Sequence, residues 1–95
     1  MPLFAIHCLD KPDVLALRLD TRAAHVAHLD SQGERVALAG PLLDSDGTTM
    51  IGSLLVIDFT DLAAAQTWAN NDPYALAGVF ASTSVREFRK TRPMT

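Results

Sequence analysis

The chain has 95 residues, and 8 Lys and Arg stand against 11 Asp and Glu for a formal charge of −3. A chain of this length makes one domain, so residues 1–95 are read as a single unit with a core of its own. Hydrophobic residues at 48% and charged residues at 20% exclude a disordered tail. The mild acidity argues against nucleic acid, because a phosphate footprint needs clustered cations. Arg86, Arg89, Lys90 and Arg92 come nearest to such a cluster, but Glu87 interrupts them and they read as a solvated strand end.

Cys8 is the one cysteine, so no intrachain disulfide can form, which fits a reducing compartment. Residues 1–10 lack a basic stretch and a long apolar run, and no segment approaches the ~20 apolar residues of a membrane span. A soluble, cytoplasmic domain is expected, with no membrane partner.

Residues 3–9 form a short apolar run stopped by Asp10-Lys11-Pro12, which predicts a buried strand. Asp13 is then positioned to cap a helix reaching about Gln32, with a kink near Asp20-Thr21 and a stop at Gly33. Residues 35–43 read as a second strand with Gly40-Pro41 marking a bend or an edge, since proline cannot donate to a ladder. Asp44-Ser45-Asp46-Gly47 has turn chemistry, and residues 52–59 form a third strand. Thr60 or Asp61 can cap a second helix from Leu62 to about Asn71, ended by Asp72-Pro73. The β-branched and aromatic stretch 79–88 is the fourth strand.

The order β-α-β-β-α-β is the α+β, ferredoxin-like arrangement, an antiparallel sheet with both helices on one face. A sheet with one wet face should alternate apolar and polar residues. The first and third strands do not: Phe4, Ile6 and Cys8 oppose Leu3, Ala5 and Leu9, while Leu55, Ile57 and Phe59 oppose Leu54 and Val56. Two helices cover one face, so the other is expected to meet a second copy of the chain, sheet on sheet.

On the first helix, a rotation of about 100° per residue makes Ala23, Val26, Ala27 and Leu29 an apolar stripe. His25 and Arg22 border it, and His28 points to solvent. His7 reads as a half-buried strand residue. Asp72 is ordinary turn chemistry before proline, yet an acid at the C-terminus of a helix opposes its dipole. A partnering histidine supplies a reason for it, because a carboxylate beside an imidazole fixes its tautomer for acid–base work. Metal binding is poorly supported: His25 and His28 diverge by ~60° around the helix and no ligand set completes them. Cys8 reads as a small buried hydrophobe, Trp68 as core or interface, and no motif suggests an organic cofactor.

Arg22-Ala23-Ala24-His25, Ala39-Gly40-Pro41, Gly52-Ser53, the run from Trp68 through Asn70-Asn71-Asp72-Pro73-Tyr74, Ala77-Gly78-Val79 and Val85-Arg86-Glu87-Phe88 follow one another across nearly the whole chain. In this order and spacing the chain resembles the YciI-like (YCII-related) family of small proteins. The resemblance implies a ferredoxin-like domain that dimerises into an α/β barrel, with a His–Asp pair in a cleft falling on His25 and Asp72. Most members have no assigned substrate, and a few relatives act as dehydrochlorinases of chlorinated hydroxyhydroquinones.

The expected function is a lyase or isomerase in which Asp72 orients His25 and His25 moves a proton on a small cyclic or aromatic substrate. Arg22 either holds a carboxylate or enolate oxygen or pairs with Asp72 itself. Ser53 and Tyr74 are candidates for lining the pocket. Two alternatives stand beside this: a non-catalytic dimer that binds a metabolite or a protein, and a structural dimer in which the His25–Asp72 contact only locks helix to helix.

Overall fold

The computed structural model describes residues 2–94. In chain order it runs β1 (Leu3–Asp10), α1 (Leu15–Asp30), a 3-10 turn (Gly33–Arg35), β2 (Val36–Leu43), β3 (Met50–Asp58), α2 (Leu62–Asn70), α3 (Pro73–Ala77) and β4 (Phe80–Phe88). The four strands form one antiparallel sheet in the order β2-β3-β1-β4, with the helices on one face. This is the ferredoxin-like α+β fold. None of the described helices is long and apolar enough to cross a membrane.

The register explains which residues build the core. Phe4 lies opposite Ile57, Ile6 opposite Leu55 and Cys8 opposite Ser53, so these side chains share the helix-bearing face. There Phe4, Ile6, Leu55 and Ile57 meet Phe59, Ala65, Trp68 and Ala69, which brings α2 down onto the sheet. The Asp61 carboxylate accepts the Ala64 amide and so starts α2, which decides between the two expected caps. Gly52 is required where β3 crosses β1, because a Cβ there runs into the Cys8 carbonyl. The opposite face carries Leu3, Ala5, His7 and Leu9 of β1 beside Leu54 and Val56 of β3, with Leu38 on β2 and Phe88 on β4. Leu38 and Phe88 are 53% and 45% exposed.

Four local expectations are corrected. Asp13 does not cap α1: it has φ of 60°, and Val14 takes the cap position without a side-chain bond. No break interrupts α1 at Asp20-Thr21, since one helix runs through both residues. The predicted apolar stripe is not the docking face either. Ala23, Val26 and Ala27 are exposed, while the buried residues of α1 are Arg18 and His25. The helix can bury polar side chains because its neighbours supply partners for them. Finally, Asp72-Pro73 does not merely end α2. It opens α3, in which Pro73 takes the first position, where its missing amide hydrogen costs nothing.

Candidate functional site

Asp72 thus stands at a helix start rather than a helix end, and the expected conflict with the dipole disappears. Its Oδ1 accepts the Tyr74 amide at 2.9 Å, the ordinary bond of an N-cap. The same carboxylate faces His25, whose Nδ1 lies 2.9 Å from both Oδ1 and Oδ2. A carboxylate has no proton to give, so Nδ1 carries the hydrogen and donates. In the neutral ring this leaves the lone pair on Nε2, the atom free to accept a proton. Asp72 is 2% exposed and His25 7%, so the pair is shielded from water.

Tyr74, fixed by the turn that follows Asp72, stacks its ring on the His25 imidazole at 4.1 Å and 17° from parallel. Burial pushes the Tyr74 phenol above its ordinary value, and the nearby Arg18 and Arg22 cations pull it partly back. The other side of this ring meets a residue that the sequence reading passed over. The Arg18 guanidinium carbon lies 4.4 Å from the Tyr74 centroid. Arg18 donates through Nε and Nη2 to the two oxygens of Asp10, at 2.7 and 3.1 Å, and through Nη2 to the Ser53 hydroxyl at 2.8 Å. Only 2% of Arg18 is exposed, which a charge tolerates when it is paired and hydrogen-bonded on this scale.

These groups wall a cavity of about 190 Å³ between α1 and the β2–β3 edge of the sheet. Arg18, Arg22, His25, Ser53 and Tyr74 line its polar side, and Ala39, Pro41, Met50 and Leu55 its apolar side. Arg22 is exposed at its rim; Asp72 bonds to His25 and Tyr74, so the alternative of an Arg22–Asp72 pair is not what forms. A larger, open groove of about 580 Å³ lies elsewhere, over His28 and Trp68, and contains none of the predicted site residues. His28 is not solvated as expected: it stacks on Trp68 at 4.2 Å and bonds to the Trp68 carbonyl. His7 is exposed on the opposite face of the sheet, away from the cavity.

Arg18 and Asp10 are the site residues that sequence reasoning missed. The signal was the spacing of Arg18, Arg22 and His25, which at i, i+4 and i+7 share one face of a helix.

A profile of the YCII-related domain matches residues 2–89. The chain belongs to the YCII-related family. Among relatives of this family, the chain is 40% identical to Protein YciI of Escherichia coli O6:H1 (strain CFT073), over 93% of this chain and 97% of that protein. It is equally similar to Protein YciI of Shigella flexneri, at 40% identity. Among solved structures it resembles 5-chloro-2-hydroxyhydroquinone dehydrochlorinase (TftG) from Burkholderia phenoliruptrix AC1100, in complex with 2,5-dihydroxybenzoquinone. The TM-score is 0.83 at 32% identity, covering 92% of this chain and 93% of that one. A likeness to an antibiotic biosynthesis monooxygenase, with a TM-score of 0.55 at 11% identity, reflects the fold alone.

Proposed function

We propose that this YCII-related chain is a small-molecule enzyme, a lyase or isomerase, in which His25 is the general acid–base group and Asp72 orients it. The observation that carries the reading is the buried His25–Asp72 pair at the wall of the small cavity. Asp72 holds the proton on Nδ1, so Nε2 takes a proton from a cyclic or aromatic substrate and Asp72 balances the imidazolium charge. The electron pair released moves into the ring as an enolate. Returned with the proton to another atom it gives an isomer; leaving with a departing group it gives elimination. The second course matches the chemistry named for TftG, whose relationship to this chain supports the class of reaction.

The test uses hydrogen exchange, which needs no knowledge of the product. Hydroxyquinols, chlorinated hydroxyhydroquinones and enolisable cyclic ketones are incubated with the protein in D2O, and the loss of ring C–H signals is followed by NMR. Wild type accelerates exchange on members of one class and His25→Ala does not. If His25→Ala exchanges as fast as wild type, the acid–base reading fails.

A homodimer through the open sheet face belongs to the same proposal. Leu38, Phe88, Leu9, Ala5 and Leu54 form an apolar surface of the kind that soluble domains bury against a partner. The unpaired, buried Cys8 fits work in the cytoplasm.

A further inference from the structure

No linker separates Asp72 from the helix before it. Asn71 caps the end of α2 and Asp72 caps the start of α3, so the carboxylate moves with the last turn of α2. Within that turn the Asp72 amide donates to the Ala69 carbonyl and the Asn71 amide to the Trp68 carbonyl, each at 3.2 Å. From α1, His28 Nε2 donates to the same Trp68 carbonyl at 3.0 Å, and the two lone pairs of the oxygen take both donors. The His28 ring also stacks on the Trp68 indole, which the core holds against Phe59 with 9% of the residue exposed.

Few apolar contacts hold this half of α1. Ala23, Val26 and Ala27 are exposed, so the helix docks here through His25, His28 and the partly buried Leu29. His25 and His28 stand three apart, as neighbours on the helix surface, and their partners Asp72 and Trp68 stand four apart on the segment that faces them. Two histidines thus make two rungs between the same two segments, and each ring stacks on an aromatic residue of the opposite one. The tautomers are opposite. A carbonyl has no proton to give, so His28 carries its hydrogen on Nε2, whereas His25 carries its own on Nδ1.

We infer that His28 is a positioning residue for the His25–Asp72 pair: its bond to the Trp68 carbonyl sets how closely α1 approaches the joint between α2 and α3. The two 2.9 Å contacts from His25 Nδ1 to the Asp72 carboxylate depend on that approach. The inference deepens the acid–base reading of the pair and rests on it. His28 is not among the residues lining the small cavity, so it acts through the pair and not on a substrate. The effect is large for its distance, because a catalytic group displaced by about 1 Å loses much of its rate.

The experiment compares full-length wild type with His28→Phe and His28→Gln. Phenylalanine keeps a ring for Trp68 and has no donor, whereas the glutamine amide brings a donor to the place of Nε2 and has no ring. Nitrogen-15 NMR of the imidazoles reads which His25 nitrogen holds the proton, with no substrate present. Wild type and His28→Gln keep the His25 hydrogen on Nδ1. In His28→Phe the ring samples both tautomers and hydrogen exchange at the substrate falls by about 10- to 100-fold, while circular dichroism stays that of wild type. The inference is overturned if His28→Phe keeps the wild-type tautomer and exchange rate, or if His28→Gln is as impaired as His28→Phe. Loss of the fold in His28→Phe overturns it too, because His28 then only locks the helices together. The ring spectra need no turnover, so a response as expected in a protein that exchanges no substrate fails the acid–base reading and leaves the positioning intact.

Discussion

Asp72 and Tyr74 hold each other in place two residues apart: the Asp72 carboxylate accepts the Tyr74 amide, and the Tyr74 ring lies against the imidazole that the same carboxylate holds. One acidic side chain thereby starts α3, orients His25 and sets the aromatic wall of the cavity. The architectural role of Asp72 and its proposed chemical role are separable, because asparagine and alanine remove different parts of them.

Asp72→Asn keeps an oxygen for the Tyr74 amide and loses the charge beside His25. Its melting temperature should stay close to wild type while hydrogen exchange at the substrate falls steeply. Asp72→Ala loses the cap as well, and a lost N-cap costs about 1 kcal/mol. Thermal melts of the two variants beside the exchange assay check this. If both melt far below wild type, the pair is mainly a lock between α1 and α3.

Removing Arg18 should be far more damaging than removing an ordinary surface arginine. Arg18→Met leaves Asp10 buried without its partner, and breaking a buried pair from one side costs about 3–5 kcal/mol. The double variant Arg18→Met with Asp10→Leu removes both charges and should recover most of that loss. Urea denaturation of the two proteins measures the difference. Equal destabilisation in both would mean that packing, and not the orphaned carboxylate, sets the cost.

The contrast between Asp72 and Arg18 shows what a sequence discloses here. The order of the elements was legible because short apolar runs mark the strands and Asp-Gly and Pro signals separate them. His25 and Asp72 were legible through the YCII-related resemblance. Arg18 was not, because its burial depends on Asp10, Ser53 and Tyr74, which lie on three other elements and meet only once the sheet is assembled. The short helix α3 was hidden for a different reason: proline ends one helix and begins the next with the same residue, and only the Asp72 cap distinguishes the two.

Gly52→Ala should disable the cavity without touching a polar group. The added methyl meets the Cys8 carbonyl, a backbone atom that cannot rotate away, so β3 must shift and carry Ser53 with it. A loss of about 3 kcal/mol is expected. Chemical denaturation measures it, and the hydrogen-exchange assay reports the disturbed cavity. Full stability in Gly52→Ala would show that β1 and β3 can separate at this crossing.

Cys8 should be inert in the folded protein. Burial pushes its thiol up to about 11, against a smaller downward pull from the Thr83 hydroxyl, so almost no thiolate exists near neutral pH, and the residue is 1% exposed between its strand neighbours Ser53 and Thr83. Aromatic disulfide reagents should label it only as fast as the chain unfolds. The pH dependence follows from the same shift. Unfolding returns the thiol to its ordinary 9.0, so between that value and about 11 the unfolded chain loses a proton that the folded chain keeps. This group's contribution to stability is complete below pH 9 and declines as the pH rises towards 11. Cys8→Ala should flatten that part of the stability–pH curve, and an unchanged slope would assign it to other groups.

The open face of the sheet supplies the last prediction. Leu38 lies on β2 opposite Val56, and 53% of it is exposed in the single chain. A glutamate at this position therefore costs the single chain little, since the side chain can reach water. In a dimer packed sheet on sheet, the same carboxylate would be buried against an apolar partner and unpaired, which is expensive. Leu38→Glu should accordingly remain folded by circular dichroism while changing from dimer to monomer in sedimentation at micromolar concentration. A wild-type protein that already sediments as a monomer refutes the dimer. A dimer that survives Leu38→Glu moves the contact to another surface, where the exposed Leu15 and Leu19, one turn apart on α1, are the next apolar residues to replace.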